Sequence, residues 1–280
     1  AGVLALSSDD RTVVIQGVAG AGKTTLISAI ASVAKEEGRD VIGLAFANKM
    51  VNDLRTDTEL RGTNGEVVQG GIEAKTVSSF VNQHLRGALQ GSGPAFEESR
   101  AALAGKVLVL DEASLVANKP MNDILTIANK MGVDKLVMIG DRAQLQPIEA
   151  GKTFSLIQAD GAAMARLDTS LRQRTEHMKE AAGLARAGKF RESFASLGER
   201  VVEAGKDHLE VTAKTWLDLS PEDRERTAIY SSGRDARASL NRMVQDGLRA
   251  EGVLKGEGLE LTTLRPAHAT REELRYASTY

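Results

Sequence analysis

The chain has 280 residues, with 36 Lys plus Arg against 38 Asp plus Glu, a net charge of −2, 42% hydrophobic content and no cysteine. That length suffices for two modest domains with real cores, while the missing cysteines exclude disulfides, thiolate zinc sites and cysteine nucleophiles. The near-neutral balance means that any basic surface for nucleic acid must be local, no stretch of sequence approaches a membrane span, and His84, His177, His208 and His268 lack metal-ligand spacing.

In chain order, Thr12–Gln16 is a short β-branched run, Gly17–Thr24 (GVAGAGKT) fits the pattern G-x-x-x-x-G-K-[ST], and Leu26–Ala34 has helical apolar spacing. Strand, glycine loop and helix form the order a phosphate site needs. Gly17, Gly20 and Gly22 allow positive φ and close approach, and the N–H groups of the loop and helix start, from Gly20 through Ala21 and Gly22 to Thr25, supply the positive end of aligned dipoles. Lys23 is expected to reach the β and γ phosphates of ATP and Thr24 to ligate Mg²⁺.

Further strands are expected at Val41–Phe46, Val107–Leu110 and Leu136–Ile139, with Asp57–Gly71 and Gly87–Ser99 as surface excursions between them. Continuous apolar runs of this kind predict an α/β fold with a parallel sheet buried on both faces. Val107–Leu110 ends in Asp111-Glu112, a carboxylate pair suited to partner the loop: Asp111 for the magnesium shell, Glu112 to orient or deprotonate the attacking water. Leu136–Ile139 runs into the polar turn Gly140–Pro147, in which Gln144 is a candidate sensor of the γ-phosphate. The loop, the acids and the sensor would share the sheet edge where open α/β sheets bind ligands. Beyond Gly151 the texture changes to a helical region over 176–197, a strand at Thr227–Tyr230 and a helix through Leu240–Leu248. Ala165–Arg191 is locally basic, with seven Lys or Arg against three acids.

In their order these motifs resemble the RecD-like group of superfamily 1 DNA helicases, most closely the helicase region of conjugative relaxase-helicases of the TraI/TrwC type. After the phosphate loop come Gly43–Lys49, where the family has its first single-strand-contacting loop, Thr76–Phe80, similar to its threonine-rich motif, then Asp111–Ser114, Gly140–Leu145 and Leu171-Arg172-Gln173. The resemblance implies a RecA-like P-loop NTPase domain over 1–165 and the beginning of a second RecA-like domain over 166–280. It implies an ATP-hydrolysing helicase moving 5′ to 3′ on single-stranded DNA during plasmid transfer in the bacterial cytoplasm, without membrane insertion. Arg172 would be an arginine finger on the second domain, meeting the γ-phosphate when the cleft closes. Phe46, Asn48, Thr76 and Ser79 would contact DNA, although Phe46-Ala47 stands where the family usually has Pro-Thr; Phe46 offers a stacking surface instead, or belongs to the core.

The motifs expected upstream of residue 1 and beyond Tyr280 are missing, so the chain is expected to be an excised part of a relaxase-helicase that works with the rest of that polypeptide and with relaxosome and secretion proteins. Two other classes stay open. One is a nucleotide-independent DNA-binding or secretion-docking module, against which the intact Lys23, Thr24, Asp111 and Glu112 weigh. The other is a different P-loop phosphotransferase, against which the Gly140–Leu145 and Arg172-Gln173 motifs weigh.

Overall fold

The computed structural model describes residues 1–144, 147 and 151–256. Leu145 and Gln146 of the polar-turn motif, and the end of the second expected domain from residue 257, lie outside the described residues. The chain divides into two compact units, Ala1–Gly198 and the residues from Glu199 onward.

The first unit opens with α1 (Gly2–Ser7), β1 (Thr12–Gly17), α2 (Lys23–Glu36), β2 (Val41–Ala45) and α3 (Asn48–Asp57). It continues through the small strands β3 (Leu60–Arg61) and β4 (Val67–Gln69) to β5 (Glu73–Thr76), α4 (Val77–Gln90), α5 (Pro94–Leu103), β6 (Val107–Leu110), α6 (Asn118–Met131) and β7 (Lys135–Gly140). It ends with α7 (Thr153–Ala159), β8 (Ala163–Leu167), α8 (Glu176–Arg186) and α9 (Phe190–Leu197). Six strands make one sheet in the order β5-β2-β6-β7-β1-β8, with every pairing parallel, while β3 and β4 form a separate antiparallel pair.

Alternation of side chains along each strand divides the apolar runs between two cores. Val14, Leu44, Leu108, Leu110, Leu136 and Met138 face the cluster built with Phe80, Met121, Ile124 and Ile127, from α4 and α6. Ile15, Val107, Val109, Val137 and Ile139 face Ile27, Ile30, Val51 and Leu54, from α2 and α3. This double burial is why the runs are continuous in sequence rather than alternating.

The excursion expected at Gly87–Ser99 is largely packed structure. Gly87, in α4, lies so close to α5 that a Cβ there would sit 2.4 Å from the Ala95 carbonyl oxygen, and Ser99 is buried against His84, 3.1 Å from its Nδ1. The helical region over 176–197 is broken at Gly188, whose φ of +76° lies in the left-handed region, into α8 and α9.

The second unit contains α10 (His208–Leu217), α11 (Pro221–Arg226) and α12 (Arg234–Ala250). Thr227–Tyr230 has no strand partner among the described residues; a strand needs a ladder, and here Trp216 Nε1 donates instead to the Thr227 carbonyl at 2.9 Å while Tyr230 stands exposed. No helix among the described residues is long and apolar enough to cross a membrane.

Candidate nucleotide site

Because every strand of the sheet runs the same way, the residues that follow β1, β2, β5, β6, β7 and β8 emerge at one edge. The loop after β1 turns on Gly20, φ +73°, and Gly22, φ +81°, conformations that a Cβ disfavours. Gly22 leads into α2, and nothing lies within 4 Å of where its Cβ would be, so the mouth of the loop is open there. Gly17 is small for a different reason: a Cβ on it would come 3.0 Å from Lys23 Cγ, so the lysine stem lies directly over this residue. The start of α2 has no side-chain cap and no acid in its first turn, and Thr24 and Thr25 are exposed there. A 14-residue helix therefore directs unpaired N–H groups and two hydroxyls at the mouth of an open glycine loop, which suits an anion.

Lys23 Nζ lies 2.9 Å from Glu112 Oε1, and both side chains are largely buried. The Asp111 N–H donates to the Leu44 carbonyl at 2.9 Å, tying the end of β6 to β2, and Asp111 Oδ1 accepts the Glu112 N–H at 2.9 Å. Glu112 itself has φ +46°, the one non-glycine residue with positive φ among the described residues. That left-handed kink between β6 and the single 3₁₀ turn Ala113–Leu115 lets two adjacent acids serve different partners. Burial, followed by the Glu112 charge, pushes the Asp111 carboxyl above the usual carboxylate range, against the pull of the Glu112 N–H and of Lys23. A carboxylate disfavoured in this way gains from a nearby cation. Beside it the buried Ser114 hydroxyl has no hydrogen-bond partner among the described residues. The open loop, the uncapped helix, the lysine and the raised carboxyl together fit a nucleotide, and Thr24 and Asp111 are the oxygen donors that would hold a divalent cation accompanying it.

Beyond β7, Asp141 is buried and gathers the polar turn around itself. Gln16 Nε2 donates to its Oδ1 at 2.7 Å, the Ala143 N–H to the same oxygen at 3.1 Å, and Gln144 Nε2 to Oδ2 at 3.0 Å. Burial alone would raise this carboxyl and is the largest single influence, but these hydrogen bonds and the Arg186 charge outweigh it and hold Asp141 below its ordinary range. Gln16 Oε1 in turn accepts from the Arg142 N–H at 3.2 Å and from Gln158 Nε2 at 3.1 Å. Gln16 thus links the end of β1 to the polar turn after β7 and to α7. Sequence reasoning passed over it, although its signal was present: an amide ending an otherwise apolar run, one residue before the glycine loop.

The remaining candidates sit on the same edge. Phe46 follows β2 and is 57% exposed, so it is not a core residue. Asn48, exposed, begins α3. Thr76 caps α4, its hydroxyl accepting the N–H of the exposed Ser79 at 3.1 Å. Arg172 follows β8 within the first compact unit, exposed, with its backbone against Gly20.

A parallel sheet with a glycine loop and helix after one strand, a carboxylate pair after another and a polar turn between them in space is the P-loop NTPase fold. Within that class, the chain belongs to the AAA domain family, whose family model matches residues 1–206. It is homologous to conjugation proteins, as its motifs led us to expect. It is 31% identical over 256 residues to the conjugal transfer protein TraA of Rhizobium radiobacter, covering 89% of this chain and 20% of TraA. It is also 25% identical over 321 residues to the multifunctional conjugation protein TraI of Escherichia coli K12, covering 98% of this chain and 17% of TraI. The chain thus spans about a fifth of the length of these curated relatives. Among solved structures, AMPPCP-bound DnaA from Aquifex aeolicus aligns with a TM-score of 0.36 at 13% identity, covering 91% of this chain and 78% of that one.

Proposed function

We propose that this chain is the ATP-dependent motor module of a conjugative relaxase-helicase, coupling ATP hydrolysis to 5′–3′ movement on single-stranded DNA. In this reading residues 1–165 are the first RecA-like domain and 166–280 the beginning of a second. The observation that carries it is the Lys23–Glu112 ion pair of 2.9 Å, at the mouth of an open phosphate loop and next to the raised carboxyl of Asp111.

Lys23 exchanges Glu112 for the β and γ phosphate oxygens as the triphosphate enters, and the released Glu112 carboxylate holds the attacking water. The water oxygen bonds to the γ-phosphorus, the bond to the β–γ bridging oxygen breaks, ADP leaves, and the water's proton passes to Glu112. Thr24 and Asp111 would hold a magnesium ion, which when bound would neutralise charge on the phosphates. Gln144 senses the γ-phosphate by leaving Asp141, and Arg172 stabilises the charge of the transferring group. Phe46, Asn48, Thr76 and Ser79 line the same edge as the strand-contacting set, Phe46 by stacking on a base. The partners of the module are single-stranded DNA, the rest of the relaxase polypeptide and the relaxosome and secretion proteins of a bacterial cytoplasm.

The test is the affinity for a fluorescent single-stranded oligonucleotide with no nucleotide, with magnesium ADP and with a magnesium-bound non-hydrolysable ATP analogue, together with ATP turnover with and without the oligonucleotide. The reading predicts DNA affinity that changes with the nucleotide bound, and turnover that DNA stimulates. DNA binding indifferent to nucleotide would point to a docking module, and nucleotide binding without any DNA affinity to another phosphotransferase.

A further inference from the structure

Residues 167–173 lie on the phosphate loop in a way that neither the family match nor the motifs assign. The Val18 N–H donates to the Leu167 carbonyl at 3.0 Å, continuing the pairing of β1 with β8 past the end of the sheet. Three residues on, the Ser170 hydroxyl faces two acceptors for its one proton, the Ala19 carbonyl at 2.7 Å and Gln173 Oε1 at 2.5 Å. The Leu171 N–H then donates to the Gly20 carbonyl at 2.8 Å. These bonds bring Arg172 in so closely that a Cβ on Gly20 would lie 2.4 Å from Arg172 Cβ, 2.9 Å from Ser170 Oγ and 3.2 Å from the Arg172 nitrogen. Gly20 therefore has two reasons to lack a side chain: its φ of +73° and the presence of Arg172.

We infer that Ser170 is a positioning residue for Arg172. Its hydroxyl ties the segment to the Ala19 carbonyl, fixes the backbone of 171–172 across Gly20, and so roots the arginine on the phosphate loop. An arginine side chain carries large rotamer entropy, and a root fixed on the loop that holds the phosphates removes backbone freedom that would add to it. The consequence is that the start of the 166–280 segment, Arg172 included, is tied directly to the phosphate loop. Movement of the loop on nucleotide entry reaches Arg172 through two main-chain carbonyls. The inference rests on the reading of Arg172 as the residue that stabilises the transferring phosphoryl group.

The test compares the affinity for magnesium ADP with that for magnesium ADP plus aluminium fluoride, a mimic of the transferring group, so it needs no turnover. Arg172→Ala is expected to leave ADP affinity in place and weaken the aluminium fluoride complex at least tenfold. Ser170→Ala, which removes one hydrogen bond, is expected to weaken that complex by about fivefold with ADP affinity again in place. Ser170→Thr, which keeps the hydroxyl, is expected to restore it. In the Arg172→Ala background, Ser170→Ala should add nothing, because its effect passes through the arginine. A Ser170→Ala effect that persists in full in that background, or one that weakens ADP equally, overturns the inference while leaving Arg172 its role. If Arg172→Ala itself leaves the aluminium fluoride complex unchanged, the arginine reading fails, and the role of Ser170 with it.

Discussion

Replacing Gln16 by leucine is the sharpest probe of how this site is held, because the side chains change little in size and the hydrogen bonds go. The wild-type amide donates 2.7 Å to Asp141 and accepts from Arg142 and Gln158, and both Gln16 and Asp141 are 2% exposed. A hydrogen bond to a charged acceptor contributes about 1.5–3 kcal/mol, and an uncompensated buried N–H adds about 1–3 kcal/mol to the loss. Relief comes from the added apolar burial, leaving a net destabilisation of about 2–3 kcal/mol. At about 2–4 °C per kcal/mol for a unit of this size, the unfolding midpoint of the first unit should fall by about 4–12 °C. The pH dependence is the decisive signature. Asp141 is held below its usual range, so it contributes stability above the unfolded carboxylate pKa and loses it as pH falls through the depressed folded value. Removing the Gln16 donor raises the folded value, so the cost of the mutation should be greatest at neutral pH and shrink as the buffer is acidified. Calorimetric melting across that range measures it. A destabilisation under 0.5 kcal/mol, or one that stays constant on acidification, would refute the claim that Gln16 holds the Asp141 turn.

Asp111→Asn should raise the unfolding midpoint of the first unit at neutral pH by a few degrees while abolishing magnesium-dependent turnover. A carboxyl raised by burial costs the fold stability above its unfolded pKa, and the gain should disappear as pH drops below that value; a midpoint that falls at neutral pH contradicts it. Glu112→Gly should relieve the positive φ of +46° and stabilise the unit by about 1 kcal/mol in urea unfolding; a loss of stability would show that the Lys23 ion pair matters more than the backbone strain. Glu112→Gln should keep ATP bound and slow its turnover, and turnover at the wild-type rate would exclude Glu112 as the group that receives the water's proton.

What was legible in the sequence was local. Thr12–Gln16, Val107–Leu110 and Leu136–Ile139 read as buried strands because a parallel sheet covered on both faces needs uninterrupted apolar runs, and Gly17–Thr24 read as a phosphate loop because its backbone demands glycine at fixed positions. What was not legible depends on distant residues meeting. Gln16 and Asp141 are 125 positions apart, and nothing in either neighbourhood announces the bond between them. Likewise Ala163–Leu167 carries no strong strand signal of its own; it becomes a strand by pairing with β1, and that pairing delivers Ser170 and Arg172 to the phosphate loop. Phe46, which the sequence left open between a stacking surface and the core, stands exposed because β2 stops one residue earlier and α3 begins two residues later, and the core alternative falls.

The central claim is that Gly17–Thr24 is a working nucleotide site, and titration calorimetry of magnesium ATP into the wild-type chain and into Lys23→Ala tests it most directly. Loss of a charge-assisted contact of about 1.5–3 kcal/mol predicts affinity weakened by roughly 10- to 150-fold, with the fold intact. Equal ATP affinity in the two proteins would contradict the claim.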